Sequence, residues 1–191
     1  MAEDTNAVRQ VVDPSVSRRK FQREVDELRT HEAVYRERGW YLAEATYPRL
    51  MVVMGAPQTR PPLIAFGVLF DFTNYDLWPP EVTLVDPFTA APYKAGELPT
   101  HLLRKRAAAT PGQPDPPPLR MMIWGDAGSI PFICLPGIRA YHAHPSHTGD
   151  SWLLHRTTGA GRLHHILDIL HRYGSQKIVL GIHVVMQQLP P

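Results

Sequence analysis

The sequence predicts an α+β fold. An N-terminal helix packs on a four-stranded antiparallel meander, and a long proline-rich insertion, a Cys/His-rich loop and a C-terminal helix follow. Three observations predict it. One long stretch with helical periodicity comes first, four short strand-like runs follow without helices between them, and a second helical stretch lies near the end. Helices segregated from strands, with turn-length links between the strands, favour an antiparallel sheet over alternating βαβ units.

The first helix is predicted over residues 17–38. Phe21, Val25, Leu28 and Tyr35 recur at helical steps among charged residues, a single apolar stripe interrupted at Glu32. Ser15 or Ser17 can cap it by accepting a bond from an orphan N–H, and Gly39 can end it in the left-handed conformation. The strands are predicted over 40–46, closed by Tyr47-Pro48; over 50–54, closed by Gly55-Ala56-Pro57; over 63–73; and over 82–85, after Pro79-Pro80. In the third, Ile64, Phe66, Val68, Phe70 and Phe72 form one wholly apolar face, which must meet a core.

Proline then breaks the pattern. The run PGQPDPPP at 111–118 supports neither helix nor sheet, so 107–120 is expected to be a flexible excursion. A short strand at 121–124, an apolar segment at 131–136 and a polar, turn-like stretch at 141–155 come next. Leu163, Ile166, Leu167 and Leu170 mark a helix over 160–173 ended by Gly174, and 177–186 reads as an edge strand. With 191 residues, the expected organisation is a flexible tail at 1–14 and a single domain over 15–191.

Composition narrows the function. Twenty basic against eighteen acidic residues, net charge +2, leave no footprint for nucleic acid or an anionic membrane. No run reaches the ~18 apolar residues of a spanning helix. The opening MAEDTNAVRQ is not expected to be a secretory signal. The single cysteine, Cys134, excludes an internal disulfide and a zinc site of several thiolates. A cytoplasmic protein is expected.

Two segments carry a resemblance. Tyr75-Asp76-Leu77-Trp78-Pro79-Pro80, followed by Glu81-Val82-Thr83-Leu84, is similar to the Tyr-Pro-x-x-Pro-Pro, x-Val-x-Phe segment of the ubiquitin-conjugating enzymes. Ile133-Cys134-Leu135, then Trp152 and the helix at 160–173, resembles the surroundings of that family's catalytic cysteine. The likeness spans roughly residues 17–173. The family's His-Pro-Asn is replaced by Ala90-Ala91-Pro92, so the Asn that supports the thioester oxyanion is absent. His144-Pro145 is similar to a His-Pro that follows the cysteine in one divergent branch. The chain looks most like bacterial members encoded beside ubiquitin-like modifiers.

The resemblance implies that Cys134 accepts a ubiquitin-like protein as a thioester and passes it to an acceptor. The implied partners are a ubiquitin-like modifier, its cognate activating enzyme and an acceptor protein, with no nucleic acid and no membrane. No cofactor is required. Such chemistry needs an accessible thiol, an oxyanion donor and a proton acceptor. His142 and His144 are placed to serve Cys134, with Asp150 orienting one of them. The alternatives are a zinc protein on the same fold, with Cys134, His142, His144 and His147 as ligands, and an inactive relative that only binds a modifier. From its apolar flanks alone, Cys134 is as readily a buried core thiol. His31, His164, His165, His171 and His183 read as exposed, Trp78 and Trp152 as core aromatics, and Arg104-Lys105-Arg106 as a solvated basic run.

Overall fold

A computed structural model of the chain describes residues 9–106 and 114–179. The meander is formed as expected: β1 (Trp40–Thr46), β2 (Arg49–Ala56), β3 (Leu63–Asp71) and β4 (Glu81–Val85) pair antiparallel in the order 1-2-3-4. Leu50 lies opposite Phe70 and Val52 opposite Val68, so these side chains share one face of the sheet. That face is sealed by Phe21, Val25 and Leu28 on one side and by Leu163, Ile166, Leu167 and Leu170 on the other. Burying each such large apolar side chain contributes about 1.5–3 kcal/mol. Ile64, expected on the core face, is instead exposed. An irregularity between Met54 and Gly55 shifts the register there and turns the end of β3 away from the core.

The expected single helix over 17–38 is two: α1 (Pro14–Thr30) and α2 (Glu32–Glu37). The apolar stripe ends at Leu28, and α2 buries none of its own residues. The chain bends at His31, and the Tyr35 ring then stacks on Trp40 at 4.7 Å. Neither Ser15 nor Ser17 caps α1. Asp13 does, accepting from the Ser15 N–H at 2.8 Å, with Pro14 in the first turn. Gly39 has φ +83°, the left-handed conformation expected of it, and an added Cβ there would come within 2.9 Å of the Gly55 carbonyl. Residues 9–12 of the expected tail run over Asn74, whose side chain accepts from the N–H groups of Val11 and Val12 and donates to the Arg9 carbonyl.

After the meander come two short ladders: β5 (Leu103–Arg104) with β6 (Leu119–Arg120), and β7 (Met122–Ile123) with β8 (Phe132–Ile133). Residues 107–113 of the expected excursion lie outside the described residues, and 119–120 are paired rather than loose. The stretch expected to be turn-like holds α3 (Arg139–Ala143), a 3-10 turn at Pro145–His147 and α4 (Trp152–His155). The last helix, α5 (Leu163–Tyr173), ends at Gly174 as predicted, its buried face formed by the four predicted side chains. The expected strand at 177–186 does not begin as one: Ser175–Lys177 is a 3-10 turn, and 180–186 lie outside the described residues.

One buried carboxylate joins α1, α5 and the segment after β3. Glu24, 1% exposed, accepts from the Leu163 N–H at 3.1 Å and from the Tyr75 hydroxyl at 3.3 Å. The Arg162 guanidinium lies 3.2 Å away and also meets Glu27. Glu24 thus caps α5 from another helix, meeting one of the N–H groups a helix start leaves unpaired. Among the described residues, no helix is long and apolar enough to cross a membrane.

Candidate functional site

Cys134 follows β8, and its N–H donates to the Met121 carbonyl at 2.7 Å. This bond holds its backbone in line with the β7–β8 ladder, whose Met122 and Ile133 are buried. The thiol is half-buried at the edge of the core, with neither the full burial that its flanks permitted nor full exposure. Burial pushes the thiol above its ordinary value, so at neutral pH the sulfur rests protonated. The His147 imidazole lies beside it, with Nε2 3.3 Å from Sγ.

His147 is positioned by what lies behind it. Its ring stacks on Tyr141 with centroids 3.8 Å apart and an interplanar angle of 19°. The Tyr141 hydroxyl donates to Asp150 Oδ2 at 2.7 Å, and His155 Nε2 lies 2.5 Å from Asp150 Oδ1. The phenol and the imidazole hold the Asp150 carboxyl below its ordinary value. The same hydrogen bond, aided by burial, pushes the Tyr141 phenol up to about 12. Both carboxylate oxygens are engaged, so Tyr141 is clamped and His147 rests on a fixed plane.

The other predicted residues are placed differently. His142 touches two backbone carbonyls, Asp150 O at 2.8 Å and Pro136 O at 2.6 Å, through its two ring nitrogens. It braces the loop and has no nitrogen left for the thiol or for a metal. His144 packs on Phe132 at 5.2 Å, and its Nδ1 accepts from the Ser146 N–H at 3.2 Å. When neutral, that ring carries its proton on Nε2 and is a donor. The Asp150 carboxylate orients neither His142 nor His144; it holds Tyr141 and His155, and only its main chain reaches His142. An open cleft of about 300 Å³ runs along this loop, lined by His142, His144, His147 and Asp150.

The zinc ligand set is not assembled. Among the described residues no three His, Cys, Asp or Glu side chains converge in a way that holds a metal. Of the four expected ligands, Cys134 and His147 are adjacent and His142 is committed to carbonyls. As arranged, these residues do not fit a tetrahedral ion.

The loop is tied to the Tyr75–Pro80 segment. The Trp152 indole N–H donates to the Asp76 carbonyl at 3.1 Å. Arg139 donates from its backbone to the Pro80 carbonyl at 3.0 Å and from its guanidinium to Thr73 O at 2.6 Å and Pro79 O at 3.3 Å. The two segments singled out in the sequence are therefore one unit. Residues 12–178 also match a family described as Y4jH-like, the Y4jH family.

The chain belongs to the Y4jH-like family. It is 39% identical over 178 residues to a protein of Sinorhizobium fredii (strain NBRC 101917 / NGR234) named "Uncharacterized protein y4jH", covering 87% of this chain and 85% of that one. In this Y4jH-like chain, sequence reasoning named His147 only as a metal ligand and passed over Tyr141 altogether. The available signal was Pro145, which starts the 3-10 turn that carries His147 back over Tyr141. His31, His164 and His165 are exposed as expected, and Trp152 is buried as expected. Trp78 is half-buried beneath the Arg139 guanidinium. His171 departs from expectation: it is half-buried against Trp40, and burial lowers its pKa. His183 lies outside the described residues.

Proposed function

We propose that this chain is a ubiquitin-conjugating-like transferase that carries a ubiquitin-like protein as a thioester on Cys134. The observation that carries it is the half-exposed sulfur 3.3 Å from His147 Nε2, an imidazole that itself lines an open cleft. The tie between the Cys134 loop and the Tyr75–Pro80 segment supports a ubiquitin-conjugating-like arrangement, because both parts of the resemblance meet in space. The helix-and-meander order supports it as well.

In this proposal His147 takes the thiol proton as Sγ attacks the carbonyl carbon of the modifier's thioester on the activating enzyme. The tetrahedral oxyanion collapses, the activating enzyme's thiolate leaves, and His147 returns the proton to it. The acceptor nucleophile then attacks the Cys134 thioester and gives its proton to His147, which passes that proton to the departing Cys134 thiolate. His144, a donor through Nε2, is the loop residue that can stand where the missing Asn would support the oxyanion. General-base assistance of this kind contributes about 10²–10⁴-fold.

The experiment is incubation with a ubiquitin-like modifier, its activating enzyme and ATP. The expected product is an adduct released by thiol reductant, absent in Cys134→Ala and converted to a reductant-resistant ester in Cys134→Ser. A reductant-sensitive adduct that persists in Cys134→Ala would overturn the assignment.

A further inference from the structure

We propose that the arm built from β5 and β6 is a docking surface for an extended, acidic protein segment with interspersed apolar side chains. This goes beyond the reaction at Cys134 and does not depend on it.

Arg104, Lys105, Arg106 and Arg120 are all exposed on or beside these two strands. The register sets Leu103 opposite Arg120 and Arg104 opposite Leu119. Residues directly opposite in an antiparallel pair share a face, so each face of the ribbon shows one leucine beside one arginine. Leu103 and Leu119 are 46% and 48% exposed. Elsewhere some cations meet a carboxylate, among them Lys20, Arg36, Arg38, Arg162 and Arg172. Among the described residues, none of the four arm cations has such an ion pair. In a chain of net charge +2, this is a local excess.

The arm is held in place. The Arg120 guanidinium lies 4.6 Å from the Trp124 ring, which His101 meets edge-on at 5.4 Å. At its base Leu102 is fully buried with φ +48°, a conformation that a branched side chain rarely adopts. The side chain stays in the core while the backbone swings the arm outward. The Met121 N–H donates to the Leu102 carbonyl at 3.2 Å, and Met121 in turn accepts from Cys134. The arm therefore springs from the same backbone that holds the sulfur.

An extended chain repeats every two residues, so carboxylates and apolar side chains in alternation match the ribbon's pairing of arginine and leucine. A nucleic acid would satisfy the cations through its phosphates and leave the leucines bare.

The test is fluorescence anisotropy on the full chain with three probes. They are a labelled peptide of alternating glutamate and leucine, its lysine counterpart, and a single-stranded oligonucleotide of equal length. The acidic peptide is expected to bind saturably and more weakly as salt rises. Combined Arg104→Glu, Arg106→Glu and Arg120→Glu should weaken it about tenfold or more, and Leu103→Ala with Leu119→Ala severalfold. Cys134→Ala should bind like the parent chain, and thermal melts should show that all variants fold. No saturable binding of the acidic peptide, or undiminished binding to the charge-reversed variant, overturns the proposal. So does an oligonucleotide that binds more tightly than the peptide, or leucine variants that bind like the parent.

Discussion

Replacing Glu24 by alanine should destabilise the fold more than any other single carboxylate removal on α1. The carboxylate is buried, caps Leu163, accepts from Tyr75 and faces Arg162. Breaking a buried ion pair costs about 3–5 kcal/mol. Arg162 keeps Glu27 as a partner, so the lower end applies, about 3 kcal/mol. For a chain of this size 1 kcal/mol moves the melting temperature about 2–4 °C, which gives a fall of about 6–12 °C. Glu24→Gln keeps an acceptor for the Leu163 N–H and loses mainly the charge, so it should cost about 1–2 kcal/mol. Glu27→Ala, at a partly exposed site, should cost about 1 kcal/mol. Thermal and urea unfolding followed by circular dichroism measures all three. A Glu24→Ala melt within about 2 °C of the parent, or one no lower than Glu27→Ala, would refute the cap-and-pair account.

Four further outcomes are expected. His147→Ala should slow iodoacetamide labelling of Cys134 at neutral pH by about tenfold or more, whereas His144→Ala should leave that rate near the parent's; equal effects would remove His147 as the base. Tyr141→Phe keeps the stack and loses the bond to Asp150, so it should slow labelling less than Tyr141→Ala, and the ordering is read from the two rates. Because the folded state lowers the Asp150 pKa, the clamp on Tyr141 is intact above the ordinary carboxylate range and is lost as pH falls through the lowered folded value. Tyrosine fluorescence of a Tyr141→Phe difference pair should therefore change only in strong acid. Gly161→Ala should lower the melting temperature by several degrees, because the new methyl would overlap the Trp152 ring and force the indole off Asp76.

The fold was legible where periodicity met burial. The alternation of β3 from Phe66 onward and the stripe of α5 named their core faces, because a sheet period of two and a helix period near 3.6 leave little choice about which side chains meet. The break at His31 was foreshadowed by Glu32 falling on the stripe, yet a single charge does not tell an interruption from an end. The site was legible by residue type and not by arrangement. Cys134 and the neighbouring histidines stood out, but which imidazole reaches the sulfur depends on the turn begun at Pro145. His142 sits closer to Cys134 in sequence than His147 does, and two carbonyls claim it. Asp150 was expected to orient an imidazole near the thiol; its carboxylate acts one step further back, through a phenol.

The indole-to-carbonyl bond between Trp152 and Asp76, with the Arg139 contacts to Thr73 and Pro79, has a mechanical consequence. The loop around Cys134 is bolted to the connection between β3 and β4, so it inherits the stiffness of the sheet. Displacing that connection would carry the Cys134 loop along with it.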